Sequence, residues 1–494
     1  MKRTAIFTFL VLFSLMAVSQ YITPDTGVSW NLDDLVQNSS GIVTFEDDSY
    51  YLWDDITISE SDTILIYSDG ILHISAGKLI TVEGTLKVNP PANFIFTAVD
   101  TTQNYLGFRF ENSGYSHLAN CTVEFGGGIK LIGSDMTIDN CIIRKNDKSY
   151  SSGAIDLFQS NPLIKNCTIY ENEGPAIQSA ANAASSAEIS QNTIYHNNTA
   201  NENMPQINMG TTAEGEELKI FDNNIEGYYD NAGGIAVSTL AGGSVLCRIE
   251  GNVIKNNRYG IAVYGNNISS VITGNTISDN NIQNDPMLGG SGINFWGDTT
   301  NVSIVSENDI SGNLWGITIM NKAKPNLGQV EDDTVNVGRN LIYDNGNEGT
   351  VYALYNNTPG NIFAENNYWG TYDIDTVEMY IFHQPDDPSL GFVDYLPIKD
   401  YLTGEKENTD KRNIGLIKSF YPNPVKNTGI IVFNTSTSGK MKKVEIFNIF
   451  GKRLFYVKTK KDILSLNTSG ITEGFYMIRV QTGKTFDFYN FLKQ

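Results

Sequence analysis

A three-residue pattern recurs along this 494-residue chain and narrows its possible folds more than any other property. Each occurrence is a small polar residue, then any residue, then a β-branched or aromatic residue. Ten copies between residues 121 and 366 make nine intervals, which average about 27 residues and point to a repeat architecture. The copies begin at Cys121, Cys141, Cys167, Asn192, Asn223, Asn252, Asn275, Asn308, Asn340 and Asn366.

Two further positions recur in step with this pattern. An Asn follows the apolar position by three residues, and a few residues later Gly or another small residue precedes an Ile. The Asn residues are Asn146, Asn172, Asn197, Asn257, Asn280, Asn313 and Asn345. The Ile residues are Ile177, Ile235, Ile261, Ile293 and Ile317.

A repeat of this length is long enough for three short strands and three turns. Successive coils would stack at strand spacing, about 4.8 Å. Val and Ile would then form a dry core, and Asn amides would hydrogen-bond along the stack. The pattern therefore predicts an all-β fold, a parallel β-helix whose coils gain their core by stacking. An ordinary β-sandwich with coincidental Asn residues is the alternative, which ten matches in register disfavour.

The chain before the repeats contains less regular coils and a cap. Residues 40 to 120 show alternating apolar strands, as in Thr63-Ile64-Leu65-Ile66-Tyr67. A short helix around 31–36 is expected to cover the open end, because an exposed end coil is an unpaired sheet edge. The β-helix with its N-terminal cap is thus assigned to residues 20–400.

Residues 1–19 have the features of a signal peptide. Lys2 and Arg3 precede an apolar run from Ala5 to Ala17, and small residues lead to a cleavage site before Gln20. The run is too short to span a bilayer, and no later stretch approaches 18 apolar residues, so no transmembrane segment is expected. The formal net charge of −21 disfavours binding to nucleic acid or anionic lipid, whereas divalent cations remain candidates.

Four cysteines invite a disulfide interpretation in an exported chain. Three of them, Cys121, Cys141 and Cys167, occupy one repeat position, so we expect a buried stack of free thiols, with Cys247 as another core residue. One disulfide between neighbouring coils is the alternative, because stacked positions are close enough to bridge.

The repeats resemble the right-handed parallel β-helix repeats of the pectin-lyase-like superfamily over roughly residues 30–400. The closing Glu365-Asn366-Asn367-Tyr368-Trp369-Gly370 is similar to the last coil of those proteins. The resemblance implies the handedness of the helix, but it is not specific for an activity.

The C-terminal segment, residues 414–494, resembles the type A sorting domain of the type IX secretion system. The resemblance begins at Ser419-Phe420-Tyr421-Pro422-Asn423-Pro424, whose sorting motif is Tyr421, Pro422, Asn423 and Pro424. It implies Sec export, recognition by the type IX machinery, and release or display at the outer-membrane surface. The segment is expected to form a small Ig-like β-sandwich, joined to the β-helix by a polar linker at residues 401–413.

The search for chemistry leaves weak candidates only. The catalytic sets of polygalacturonases are absent, and His73, His117, His196 and His383 are scattered. No cofactor is predicted outright, and Ca²⁺ is kept as an alternative. The ligand-face candidates are Arg258 and Tyr259 in one turn, and Asp298, Asp309, Asp332 and Asp333 as carboxylates that could meet across coils.

Loops and aromatic residues offer further hints of a ligand. Insertions near residues 198–219, 282–301 and 321–338 mark a possible binding face, one of them acidic through Glu214, Glu216 and Glu217. Tyr170, Tyr195, Tyr343 and Trp369 are expected to point outward, where aromatic faces suit sugar rings.

Two functions are compatible with these features. A non-catalytic surface scaffold that binds carbohydrate or adheres is favoured, because no catalytic set is present. A polysaccharide lyase or glycoside hydrolase acting on uronic-acid polysaccharides is the alternative, because fold alone does not decide function.

Overall fold

In a computed structural model, the structure describes residues 20–330, 336–399, 416–434, 437–448, 452–483 and 485–494. The chain divides into two compact units, Met1–Asp400 and Tyr401–Gln494. The predicted signal peptide at residues 1–19 and the predicted linker at 401–413 lie outside the described residues.

The described part of the first unit is a β-helix of three long sheets, which we name A, B and C. All neighbouring strands in them are parallel, except for the antiparallel pair that begins sheet C. Sheet A contains Tyr21–Ile22, Ile56–Ile58, Leu79–Val82, Gly107–Glu111, Ile129–Ile132, Ile155–Phe158, Ile177–Ser179, Pro205–Met209, Gly233–Ser238, Ile261–Tyr264, Ser291–Gly297, Trp315–Asn321, Leu354–Asn357 and Ile381–Phe382. Sheet B contains Ser29–Trp30, Thr63–Ile66, Thr85–Val88, Ser116–Ala119, Met136–Asp139, Leu163–Lys165, Glu188–Ser190, Leu218–Phe221, Val245–Glu250, Ile268–Thr273, Asn301–Ser306 and Lys324–Asn326. Sheet C contains Val43–Glu46, Ser49–Leu52, Gly70–Ile74, Phe94–Ala98, Cys121–Glu124, Ile142–Arg144, Thr168–Tyr170, Thr193–Tyr195, Asn224–Glu226, Val253–Lys255, Thr276–Ser278, Asp309–Ser311 and Leu341–Tyr343.

Each regular coil passes through sheet B, then sheet C, then sheet A. The apolar position of the repeat forms one continuous column inside sheet C, and every member is fully buried. The column runs through Val123, Ile143, Ile169, Ile194, Ile225, Ile254, Ile277, Ile310 and Ile342. Burial of each such side chain contributes about 1.5–3 kcal/mol, which offsets the entropy lost by ordering short strands.

The polar position of the repeat lies in the turn between sheets B and C, where it forms the first Asn ladder. Side-chain amides donate to the next Oδ1 across 2.8–3.0 Å from Asn192 to Asn367. The last member is Asn367 and not the predicted Asn366, which instead has a left-handed backbone. Because a shift of one residue exchanges the two faces of a strand, Trp369 is buried, and the expectation that it points outward is wrong.

The four cysteines are buried free thiols, as expected. Cys121, Cys141 and Cys167 continue the first Asn ladder in the earlier coils, and the sulfur atoms of Cys121 and Cys141 lie 3.4 Å apart. Burial and contact with neighbouring thiols raise the pKa values of Cys141 and Cys167, with the thiol contact as the larger cause. These groups therefore remain protonated, inert core side chains.

Both ends of the β-helix are covered. The predicted N-terminal helix is Leu32–Asn38, and Asn31 caps it by accepting a hydrogen bond from the Asp34 N–H. Its Leu32 and Leu35 join the core of the coils. After the regular coils come the antiparallel pair Gly346–Asn347 and Thr350–Val351, the parallel pair Ile362–Phe363 and Val393–Asp394, and the helix Ile374–Tyr380. Neither described helix is long and apolar enough to cross a membrane.

The second unit is a two-sheet β-sandwich in its described residues. One antiparallel sheet contains Ile417–Tyr421, Thr428–Phe433 and Ile463–Asn467. The other contains Arg453–Thr459, Lys442–Asn448, Gly474–Thr482 and Thr485–Lys493. Apolar residues of both sheets form one shared core. The Ig-like topology stays a prediction.

Candidate ligand-binding site

The second Asn ladder, in the turn from sheet C to sheet A, is interrupted at one coil. Asn146, Asn172 and Asn197 are connected by amide hydrogen bonds of 3.0 and 2.7 Å. The ladder resumes at Asn257 in the coil after next. The coil between them has Tyr228 at the equivalent position, three residues after Ile225. Its side chain is 66% exposed, so this turn presents an aromatic ring to solvent.

Gln206 replaces the missing Asn inside the turn. It comes from the sheet A strand Pro205–Met209, and its Oε1 accepts a hydrogen bond from Asn197 Nδ2 across 3.0 Å. Its Nε2 donates to the Glu226 carbonyl at 3.3 Å. Because Gln206 occupies the interior position, Tyr228 is free to project outward.

A shallow cleft of about 570 Å³ lies at this interruption. It is lined by Lys145, Glu171, His196, Thr199, Tyr228 and Tyr229. The first three occupy one turn position in consecutive coils, and all have a left-handed backbone, with φ of 53–54°. This conformation costs a residue other than Gly about 1–2 kcal/mol. The next coil has Gly227 at this position, where a Cβ would lie 2.3 Å from the Asn256 carbonyl oxygen.

Aromatic geometry separates this cleft from the flat faces of the sheets. Tyr170 and Tyr195 point outward from sheet C as predicted, but their rings stack on each other with centroids 4.8 Å apart and planes 6° apart. Each ring therefore covers a face of the other that a sugar would need. In the cleft the rings are inclined, with planes 42° apart for His196 and Tyr228 and 84° apart for Tyr228 and Tyr229. Inclined rings leave faces open to a ligand.

Glu171 lines the cleft together with Tyr229. Burial, followed by the charges of Tyr170 and Glu171, raises the pKa of Tyr195. Burial and then the charge of Glu171 raise the pKa of Tyr229. Both phenols therefore remain protonated donors near one carboxylate. Sequence reasoning missed this cleft, although the gap in the second Asn column at residue 228 was a visible signal.

Arg258 and Tyr259, predicted as ligand-face residues, lie in a junction of loops. Arg258 is 9% exposed, and its guanidinium donates to Asn203 Oδ1 and, across 2.6 Å, to the Leu288 carbonyl. The Tyr259 ring packs over Gly233, and burial raises the pKa of Tyr259 to about 12. These contacts hold together three loops between sheets C and A.

The acidic candidates do not converge in the described residues. Asp298 caps a turn after sheet A by accepting from Thr300, whereas Asp309 projects from sheet C. Asp332 and Asp333 lie outside the described residues. Within the described ranges, no three His, Cys, Asp or Glu side chains are close enough to hold a metal ion.

The first two predicted insertions belong to two different turns, and the described part of the third lies mainly between the sheet B strand Lys324–Asn326 and the sheet C strand Leu341–Tyr343. Residues 196–204 and 279–290 connect sheet C to sheet A, whereas the acidic loop with Glu214, Glu216 and Glu217 connects sheet A to sheet B. Glu217 forms an ion pair with Arg248 across 3.4 Å. The acidic loop therefore lies on a different turn from the cleft.

The predicted sorting motif is accessible in the second unit. Tyr421 ends the first strand, and Tyr421, Pro422, Asn423 and Pro424 are all exposed. Asn423 Oδ1 accepts the Leu492 N–H across 2.9 Å, and the following Val425 is fully buried. The motif is thus an exposed segment anchored to the core of the sandwich.

Two protein families match separate parts of the chain. Residues 40–214 match the family described as right handed beta helix region, and residues 419–491 match the secretion system C-terminal sorting domain. No protein of curated function matches the chain. One solved structure with some similarity is the tailspike protein gp49 from Acinetobacter baumannii bacteriophage Fri1, a capsular polysaccharide depolymerase. The two chains are 10% identical, with 96% of this chain and 78% of that chain covered and a TM-score of 0.24.

The family matches agree with the architecture of both units. The region matched as a β-helix falls within the three parallel sheets, and the matched sorting domain falls within the C-terminal sandwich. Such sorting domains direct proteins to the type IX secretion machinery. The chain is therefore a right-handed parallel β-helix protein with a type IX C-terminal sorting domain, exported to the cell surface or secreted.

Proposed function

We propose that this protein is a non-catalytic carbohydrate-binding or adhesive scaffold, and that the cleft around Tyr228 binds a sugar of a surface polysaccharide. The observation that carries the proposal is the inclined aromatic surface of Tyr228, Tyr229 and His196 at the interruption of the second Asn ladder. An apolar ring face with a few convergent polar groups is the composition expected of a sugar site.

The polar groups of the cleft complement its aromatic faces. Glu171 supplies acceptors, and the hydroxyl groups of Thr199, Tyr228 and Tyr229 supply donors. A shallow cleft buries little of a ligand, so one site is expected to bind weakly. Display of many copies on a surface would raise the avidity without any new contact, which suits adhesion.

Several acidic residues of the described chain are held in hydrogen bonds and ion pairs. Hydrogen bonds to the carboxylates lower the pKa values of these side chains, which therefore stay ionised: Asp62, Asp100, Glu226, Asp298, Asp387 and Glu445. On sheet A, Glu111 and Asp156 are paired with Arg109 and Lys130 across 2.7 and 3.7 Å.

The experiment compares retention of the full chain on a panel of immobilised polysaccharides with that of two variants. Tyr228→Ala should weaken binding about fivefold, since one aromatic contact contributes about 1 kcal/mol. Tyr115→Ala is the matched control, because Tyr115 is 63% exposed on a different turn, and it should bind as the parent does.

Two results would contradict the proposal. Binding that survives Tyr228→Ala unchanged would place the site elsewhere. Release of unsaturated uronide products from a uronic-acid polysaccharide, followed by ultraviolet absorbance with and without Ca²⁺, would make the protein a lyase.

A further inference from the structure

Several acidic residues of this face have cationic partners, whereas Glu171 has none among the described residues. Glu124 pairs with Arg144 across 2.6 Å, Glu226 with Lys255 across 3.1 Å, and Glu202 with Lys148 across 2.5 Å. Among the described residues, Glu171 makes no such ion pair, although Lys145 occupies the same turn position one coil earlier.

Lys145 is directed away from Glu171. Its ammonium lies 5.6 Å from the centre of the Phe125 ring, and Phe125 holds the same turn position on the side opposite Glu171. On the other side, the next coil places His196 in this position. The carboxylate therefore faces the cleft, with Tyr195 and Tyr229 close enough for its charge to raise the pKa of both phenols.

An ionised carboxylate has two acceptor oxygens and no donor. It can accept two hydroxyl hydrogens at once, and hydrogen bonds to an ionised acceptor are roughly twice as strong as neutral ones. A second carboxylate at the same place would be repelled by the like charge. The net charge of −21 adds a repulsion of longer range for any polyanion.

We propose that Glu171 makes the cleft selective for neutral sugars that present two neighbouring hydroxyl groups, and that it excludes uronic acids. This inference rests on the proposed function and specifies its ligand class. Glu171 is the specificity-determining residue, and the open faces of Tyr228 and Tyr229 carry the sugar ring.

The test measures binding of the full chain to oligosaccharides of glucose, galactose and mannose and to the matched uronate oligosaccharides, by calorimetry. The parent protein should bind at least one neutral oligosaccharide at least tenfold more tightly than its uronate counterpart. Glu171→Gln should weaken the binding of that neutral oligosaccharide at least tenfold, because the variant lacks the ionised acceptor. The variant should fold, since Gln159 and Gln191 already occupy left-handed turn positions here.

Glu307→Gln is the matched control, because Glu307 is also an exposed left-handed turn residue, paired with Arg339 on another turn. It should bind as the parent does. Tighter binding of uronates, or unchanged binding by a folded Glu171→Gln protein, would overturn this inference while leaving carbohydrate binding intact. No binding to any sugar by the parent protein would overturn the proposed function and the inference together.

Discussion

Asn197 donates its side-chain amide to Gln206 Oε1 across 3.0 Å, so that a residue from sheet A completes a ladder otherwise made of turn residues. Gln206 is fully buried, and its own amide donates to the Glu226 carbonyl two residues before Tyr228. This pair therefore joins the regular β-helix to the cleft, because the same contact that repairs the ladder leaves Tyr228 outside.

Gln206→Ala should lower the stability and the binding together. It removes an acceptor from Asn197 and leaves a small cavity, at a cost of about 1–3 kcal/mol. Local unfolding should appear as faster hydrogen exchange around residues 196–230, with weaker retention on the polysaccharide. Gln178→Ala is the control, because Gln178 bonds Asp156 on the outer face of sheet A. If the control also lost binding, the loss in Gln206→Ala could not be attributed to the contact between Gln206 and the cleft.

Asn252→Ala should destabilise the β-helix strongly. Asn252 Oδ1 accepts the backbone and side-chain N–H groups of Asn223, each across 2.9 Å. Both donors would be left buried without that acceptor, at about 1–3 kcal/mol each. Asn208→Ala, on the outer face of sheet A, should cost less than about 0.5 kcal/mol. Equal midpoints of urea unfolding for the two variants would show that the first Asn ladder contributes little to the stability of the β-helix.

The first coil should loosen in acid through Asp62. Burial alone would raise its pKa, but the Thr23 hydroxyl and the N–H groups of Asp25, Val28 and Thr26 outweigh burial and lower it. Because the folded pKa lies below the unfolded value of about 3.9, the stabilisation is complete above that pH. It is lost as the pH falls through the folded pKa.

The protection factors of the amides of residues 21–30 against hydrogen exchange, measured from pH 6 down to pH 2, report this effect. Asp62→Asn should lower the free energy of opening of these residues by about 2 kcal/mol already at pH 6, because a neutral acceptor replaces a charged one. Asp230→Asn, an exposed control, should leave the exchange unchanged. Protection factors of the first coil that stay the same across this pH range in the parent protein would contradict the stabilising role of ionised Asp62.

Deletion of residues 414–494 should trap the protein in the periplasm of a host with type IX secretion, because the sorting domain is removed. Protease treatment of intact cells checks the location. Fusion of the same residues to a foreign exported protein should bring that protein to the surface. Normal display of the truncated chain would show that the sorting signal lies elsewhere.

Most of the fold could be predicted because each coil of the β-helix packs only on the coil before it and the coil after it. Ile225 packs on Ile194 and Ile254 for the same reason that each repeat does, so a pattern read along the chain becomes a column in space. The prediction failed by one residue at Asn366, where the last coil departs from the regular spacing. That single shift reversed the expected placement of Trp369.

The candidate site was not predictable in the same way. Exposed Tyr residues are visible in the sequence, but only the packing shows that Tyr170 and Tyr195 cover each other while Tyr228 is left open. Likewise, Arg258 beside Tyr259 suggested a groove, whereas three loops close over the guanidinium.

The sequence by itself determined the β-helix, its inward columns and the C-terminal sorting domain, because each depends on residue types at short, regular or closely linked positions. Only the tertiary structure decided where the candidate cleft lies. The cleft requires Gln206 to reach Asn197 from another strand and Glu171 to lie without a cationic partner, and such contacts follow from the placement of irregular loops rather than from any period in the chain.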